Sequence, residues 1–185
     1  MDYDSGAAND GRLIARARKD PEAFVQLYRM HYDAIFRYCA HRLFERAAAE
    51  DVSSQVFLKV VEKLESFTGD ERRFRNWLYT IATNAVNHHL RETVLRNRLF
   101  ERACEQANSS KGDCRASSEK LALLREAMLA LKPRYQTIIT LRFFENLKLT
   151  EIAEVLGSSP GTVRSQLARA LAKLRKKITS AKQEI

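Results

Sequence analysis

Residues 141–175 decide the fold, and they read LRFFENLKLTEIAEVLGSSPGTVRSQLARALAKLR. Thr150 can cap a short helix, and Gly157 can end it, because glycine is common just after the last helical turn. Ser158-Ser159-Pro160 then starts a second helix, with serine as the cap and proline at the first helical position. Two helices joined by so short a turn predict a helix-turn-helix, whose second helix enters the major groove of DNA.

The second helix of this motif has an apolar face and a basic face. Val163, Leu167, Ala170 and Leu174 recur at spacings of 3 and 4, which places them on one side. Between residues 160 and 177 there are six Lys or Arg and no Asp or Glu. A one-signed basic face favours DNA binding. A solvated surface is the alternative, because helix pairs with a glycine turn also occur in α-proteins that never touch DNA.

The net charge of the whole chain supports a polyanionic partner. The formal charge is +9 and the pI about 9.7. Residues 118–185 hold 13 Lys/Arg against six Asp/Glu, whereas residues 1–117 hold 19 against 17. The excess therefore lies with the helix-turn-helix.

Composition argues against several other classes of protein. The hydrophobic content of 45% allows folded cores. Three Cys do not make a disulfide framework: Cys39 lies on an apolar helical stripe, and Cys104 and Cys114 have no metal-ligand spacing, even with His88 and His89 nearby. We expect no metal and no cofactor. The acidic, polar N-terminus and the lack of a long apolar run predict a cytoplasmic protein with no membrane partner.

The first half of the chain reads as four helices, near residues 13–17, 20–43, 48–64 and from 72 to beyond 91. The fourth helix buries one side, from Phe74 to Ala85. Its other face has no acid and is rich in short amide and hydroxyl groups, which can bond to bases and phosphates: Arg73, Asn76, Thr80, Thr83, Asn87 and Arg91. A solvated face is the equally weighted alternative.

A polar segment separates the two halves. Residues 93–116 include Asn-Ser-Ser-Lys-Gly-Asp and predict a linker that could extend ~80 Å. Ser117 or Ser118 then caps a helix, and Pro133 opens the next one before the helix-turn-helix. With no strand pattern anywhere, we predict an all-α fold of two small helical domains joined by a flexible linker.

Five short sequence motifs occur in a specific order and spacing. They are DPEAF from residue 20, AEDV from 49, FRNWLYTIA from 74, LTEIA from 149 and GTVRS from 161. In these motifs the chain resembles bacterial RNA polymerase sigma factors of the sigma-70 family, in the extracytoplasmic-function (ECF) group. The resemblance implies a sigma region 2-like domain at residues 10–95, a linker at 96–116, and a region 4-like helix-turn-helix domain at 117–180.

The resemblance also implies a function and a set of site residues. The protein would not be an enzyme; it would direct core RNA polymerase to promoters and assist promoter melting, with a base held flipped near the turn before the fourth helix. Its partners would be the clamp helices of the largest polymerase subunit and promoter DNA, with an anti-sigma factor as a further candidate. Polymerase contacts would be Asp51, Ser54, Gln55, Phe57 and Leu58. Contacts to the −10 element would be Phe67, Arg72, Arg73, Asn76, Thr80, Thr83, Asn84, Asn87 and Arg91. Contacts to the −35 element would be Ser159, Gly161, Thr162, Arg164, Ser165, Gln166 and Arg169.

Two other functions compete with this interpretation. A free-standing helix-turn-helix regulator would use only the second domain, which leaves the amide-rich fourth helix unexplained. A metal-dependent nuclease built on His88 and His89 lacks a carboxylate cluster or a phosphate loop. The chain departs from the family pattern at Ser54-Gln55, Thr83, His88 and Gln166. Measured against the family pattern, these departures affect the expected polymerase affinity and the expected promoter sequence.

Overall fold

The computed structural model describes residues 4–103 and 119–183, and this part of the chain is helical with no strand. The all-α prediction is confirmed. The helices are α1 (Asp4–Ala17), α2 (Pro21–Leu43), α3 (Arg46–Leu64), α4 (Glu71–Ala103), α5 (Glu119–Leu129), α6 (Pro133–Ile139), a π-helical turn (Thr140–Phe144), α7 (Leu149–Val155) and α8 (Pro160–Gln183).

Helices α1 to α4 form the first domain, a bundle around a core of aliphatic and aromatic side chains. The start of α2 is fixed locally, because the Asp20 carboxylate accepts a hydrogen bond from the backbone N–H of Glu22, and Pro21 occupies the first turn. The buried residues recur at helical spacing on α2, α3 and α4, and they are Leu27, Ile35, Tyr38, Val52, Val56, Val60, Phe74 and Leu78.

Helices α5 to α8 form the second domain, and its helix-turn-helix is α7 and α8. Gly157 adopts the left-handed φ of +56° that ends α7, and the Ser159 hydroxyl caps α8 by accepting from the N–H of Thr162 at 3.1 Å. The predicted cap at Thr150 is wrong. The cap of α7 is Lys148, two residues earlier, where the Glu151 carboxylate reaches back to the N–H of Lys148 at 2.7 Å.

Helix α4 continues to Ala103, so residues 96–103 of the predicted linker are helical in the structure. The physical reason is composition, since residues 71–103 contain neither glycine nor proline. The rest of that linker, with Cys104, Cys114 and the predicted caps at Ser117 and Ser118, lies outside the described residues.

The two domains pack directly against each other, which nothing in the sequence indicated. Helix α7 lies on α4, and the π-helical turn lies on α2. Their buried residues form one continuous hydrophobic cluster that includes Leu78 and Ala82 of α4 and Ile152 and Val155 of α7. This contact determines which predicted site residues are accessible.

Candidate nucleic-acid interfaces

The outer face of α8 brings the predicted −35 residues together. Val163 and Ala170 are fully buried on the inner side. The opposite side is exposed to solvent at Ser159, Gly161, Thr162, Arg164, Ser165 and Arg169. Among the predicted set, Gln166 is half-buried. Because this face carries cations and hydroxyls and no acid, it can bond to both base edges and phosphates.

Arg134 of α6 is a cation beside this face that the sequence analysis missed. Its Nε donates to the side-chain oxygen of Gln166 at 2.9 Å, and Arg134 is exposed. Spacing along α8 could not reveal it, since it belongs to another helix. The bond places a guanidinium next to a position where the chain departs from the family pattern.

The predicted −10 face of α4 is split by the second domain. Arg73, Asn84 and Arg91 are exposed. Seen along the helix, they lie on one flank of the face, because positions 73, 84 and 91 fall within about 20° of each other at 100° per residue. These three side chains are free to meet a ligand in the structure as it stands.

The centre of the same face is covered by Glu154 of α7. Its two carboxylate oxygens accept from Arg72 at 3.0 Å and from the side-chain amide of Asn76 at 2.6 Å. Asn76 is 4% exposed. The Thr80 hydroxyl donates to the backbone oxygen of Asn76 at 2.9 Å and lies 3.4 Å from that of Val155. These predicted DNA residues contact the second domain here.

Thr83 and Asn87 lie deeper, in a polar network behind this contact. The Thr83 hydroxyl shares a hydrogen bond of 2.8 Å with the hydroxyl of Tyr38, whose pKa is raised by burial. Asn87 accepts from Arg42 at 3.2 Å, and the same guanidinium donates to Gln136 of α6 at 2.5 Å. Arg42 is 1% exposed and has no carboxylate partner among the described contacts. Its bond to the Gln136 amide oxygen joins the two domains, and its bond to Asn87 joins α2 to α4.

Phe67, which the sequence analysis predicted to contact the −10 element, packs in the core at the turn before α4. It is 8% exposed, and its ring lies 5.5 Å from that of Phe74 and 5.0 Å from that of Trp77. The adjacent Gly69 has a φ of +153°, and a Cβ there would lie 2.9 Å from the Cβ of Arg73. The turn is therefore shaped by aromatic packing and by a required glycine.

Two further acids of the second domain face the first. The Glu145 side chain is 1% exposed, accepts from the Tyr79 hydroxyl at 2.8 Å and lies 3.7 Å from Arg37. Burial raises the pKa of Glu145, and it also raises that of Tyr79. Glu151 accepts from Arg75 at 2.5 Å. Donors of the first domain therefore bond to three second-domain carboxylates, beside the hydrophobic cluster and the Arg42–Gln136 bond.

A cavity of about 650 Å³ remains open between the domains. It is lined by the predicted −10 residues Thr83, Asn84, Asn87 and Arg91 on α4, and by Pro133 and Val155 opposite. The groove therefore leaves part of the predicted DNA face accessible even with the domains packed.

The predicted polymerase surface lies on the outer side of α3. Asp51, Ser54, Gln55 and Leu58 are exposed, and Leu58 has 64% of its surface accessible. Phe57 is the exception. It is 5% exposed, with its ring 4.7 Å from that of Tyr28, so it supports α3 from within the core.

No group of three or more side chains suited to a metal occurs among the described residues. On the surface of α4, the Nδ1 atom of His88 lies 3.3 Å from a carboxylate oxygen of Glu92. No helix in the same part of the chain is long and apolar enough to span a bilayer.

Comparison with known proteins identifies both domains. Residues 27–95 match the family model for sigma-70 region 2, and residues 121–174 match that for sigma-70 region 4. The ECF RNA polymerase sigma factor BldN of Streptomyces coelicolor is 33% identical over 91% of this chain, which spans 65% of that protein. The RNA polymerase sigma factor YlaC of Bacillus subtilis is 31% identical over 90% of this chain and 98% of its own length. Among solved structures, CnrH in complex with the cytosolic domain of CnrY is similar, with a TM-score of 0.70, 25% identity, and coverage of 92% of this chain and 97% of that one.

Proposed function

Since this chain belongs to the sigma-70 family of RNA polymerase sigma factors, in its ECF group, we propose that α8 reads the −35 element and that the α4 face binds the melted −10 element. As a sigma factor it is not an enzyme; it directs core RNA polymerase to promoters. The free-standing regulator and the nuclease are set aside, because the first domain is a sigma region 2.

The observation that carries the −35 assignment is the bare basic face of α8. Arg164 and Arg169 project from it with no carboxylate partner among the described contacts. Arg164→Ala should weaken duplex binding by about 1–3 kcal/mol if the guanidinium reads a base. Arg29→Ala, an exposed site on α2, is the charge-matched control. Equal loss on every sequence would make Arg164 a phosphate contact.

The −10 assignment is supported by the exposed flank of α4. Asn84 can donate to and accept from the edge of an unstacked base, and Arg73 and Arg91 can hold phosphates. Asn84→Ala should impair open-complex formation while leaving duplex binding by α8 intact. Unchanged melting would remove Asn84 from the proposal. Phe67 contributes indirectly, by shaping the turn that precedes α4.

We assign polymerase binding to the exposed side of α3. Its surface combines an acid, two uncharged polar residues and an exposed leucine, which suits a helix-on-helix contact with the clamp helices. Leu58→Asp should abolish association with core polymerase. Val25→Asp is the matched control, because Val25 is also an exposed aliphatic residue, 44% accessible, on a different helix. Equal losses in the two variants would refute this surface.

The domain bounds follow from the same assignment. Residues 10–95 act as the polymerase and −10 module, 117–180 as the −35 module, and 96–116 as the connection. We place the protein in the cytoplasm, where core polymerase and the chromosome are. An anti-sigma factor stays a predicted partner. A structure of the Bartonella quintana sigma factor RpoE with the anti-sigma factor NepR shares the fold, with a TM-score of 0.65 and 20% identity over 84% of this chain.

A further inference from the structure

The second domain covers part of the α4 surface that the sequence analysis predicted to bind DNA. Asn76 lies on the helical face whose residue types indicate nucleic-acid binding, and Arg72 is a −10 contact that the family resemblance implies. In the structure, Arg72 and Asn76 each donate to Glu154. Carboxylate and phosphate oxygens accept hydrogen bonds from the same guanidinium and amide donors, so Glu154 occupies a place suited to a phosphate.

Arg75 belongs to the same surface, although it was absent from the predicted DNA contacts. It follows Arg72 by three residues, which makes the two neighbours on the helix. Its guanidinium donates to one oxygen of Glu151, whose other oxygen accepts from the N–H of Lys148. The Arg75 side chain is 45% exposed even in this packed arrangement, so it can exchange one acceptor for another.

The acids of the second domain are concentrated at this contact. Residues 118–185 contain only six Asp or Glu. Three of them, Glu145, Glu151 and Glu154, lie within 4 Å of arginines of the first domain. Two of them, Glu151 and Glu154, thus bring carboxylates of an otherwise basic domain onto the α4 face that is proposed to bind single-stranded DNA.

We propose that Arg72, Arg75 and Asn76 form a phosphate-binding site for single-stranded DNA, and that Glu151 and Glu154 of the same chain occupy it in the packed arrangement. DNA and the second domain then compete for one surface. The inference rests on the proposed −10 role of α4 and deepens it, because it adds Arg75 as a contact and states what must leave before DNA binds.

The test uses two substitutions in the full chain with opposite expected signs. The probe is a fluorescein-labelled pool of random 15-nucleotide single strands, titrated at low salt without polymerase. Glu154→Ala removes the competing carboxylate and should raise the affinity for the single strand about three- to tenfold. The reason is that a hydrogen bond to a charged group at a half-exposed site changes a binding constant by roughly a factor of ten or less. Glu154 is preferred to Glu151, because Glu151 also fixes the start of α7.

Arg75→Ala should lower the affinity by a similar factor and reduce the slope of log affinity against log salt by about 0.7, the value for one phosphate contact on a single strand. The direction of this change in affinity distinguishes a DNA contact from a purely structural role of Arg75. If Arg75 only holds the domains together, its removal would free the surface and raise affinity, as Glu154→Ala does. That result, or an unchanged affinity in Glu154→Ala, would overturn the proposal.

Matched controls are Glu126→Ala on α5 and Arg29→Ala on α2, both at exposed positions. They measure the effect of removing one charge of each sign, and the two test variants must exceed them. Absence of single-strand binding in every form of the chain would also refute the site. Failure of the proposed function would appear separately, as a lack of transcription with core polymerase while the two variants still show opposite signs.

Discussion

Thr83→Val tests whether Thr83 is a structural residue of the first domain. The substitution keeps the shape of the side chain and removes the hydroxyl, which shares a 2.8 Å hydrogen bond with the hydroxyl of Tyr38. Tyr38 is 0% exposed and Thr83 is 4% exposed, so water cannot replace the lost partner. Losing a buried hydrogen-bond partner costs about 1–3 kcal/mol, and because the Arg42 side chain still lies beside the Tyr38 hydroxyl, we expect a loss near the lower end of this range in the free energy of unfolding.

The measurement is chemical and thermal unfolding of the single and double variants. For a chain of this length, 1 kcal/mol corresponds to about 2–4 °C in Tm. Tyr38→Phe should cost less, because a helical threonine can turn its hydroxyl to a carbonyl of the preceding turn. The double variant should lose less than the sum of the two singles, by about 0.5–2 kcal/mol.

Thr150→Val is the control, since Thr150 is exposed on α7. Unchanged stability in Thr83→Val, together with weaker single-strand binding, would show that Thr83 contacts DNA directly and would refute the structural role.

Three other substitutions probe the turn, the domain contact and the helix cap. Gly69→Ala should destabilise the first domain by about 1–3 kcal/mol, because of the positive φ and the close Arg73 Cβ, whereas Gly11→Ala, with open space around it, should be neutral or stabilising on thermal unfolding. For Glu145 the packed-state pKa is raised above the ordinary 4.5, so its ionisation weakens the packed state as pH rises through that raised pKa. Glu145→Gln should therefore be at least as stable as the unmodified chain at pH 7, with this difference shrinking toward pH 4.5; a difference that grows on acidification would contradict the sign. Ser159→Ala should cost about 1 kcal/mol through loss of the α8 cap, and an equal loss in the control Ser158→Ala would contradict the cap.

Local signals in the sequence predicted the helices and the exposed polar face of α8 well. Asp20-Pro21 and Ser159-Pro160 are cap and first-turn pairs, and each begins a helix in the structure where expected. These capping interactions involve only a few neighbouring residues, and so they can be recognised from the sequence without knowledge of tertiary contacts. The Thr150 cap failed because Glu151, one residue further on, competes for the same turn.

Tertiary contacts explain why part of the −10 and polymerase sets could not be placed from sequence. Helical periodicity puts Asn76 and Thr83 on the polar face of α4, but it cannot show that α7 and Tyr38 cover them. Phe57 and Phe67 were predicted to bind a partner because of the family resemblance. Only their packing against other aromatic rings shows that they are buried. The contacts of Arg42 with Gln136 and of Arg75 with Glu151 depend on how the two domains pack, which the sequence does not show.

The most direct test of the account is transcription from a promoter library by purified core RNA polymerase, with and without this protein. We expect new start sites that share two motifs about two helical turns apart, with Arg164→Ala altering only the upstream motif and Asn84→Ala only the downstream one. Start sites with a single shared motif, or no stimulation of core polymerase at all, would contradict the assignment of two promoter-reading surfaces.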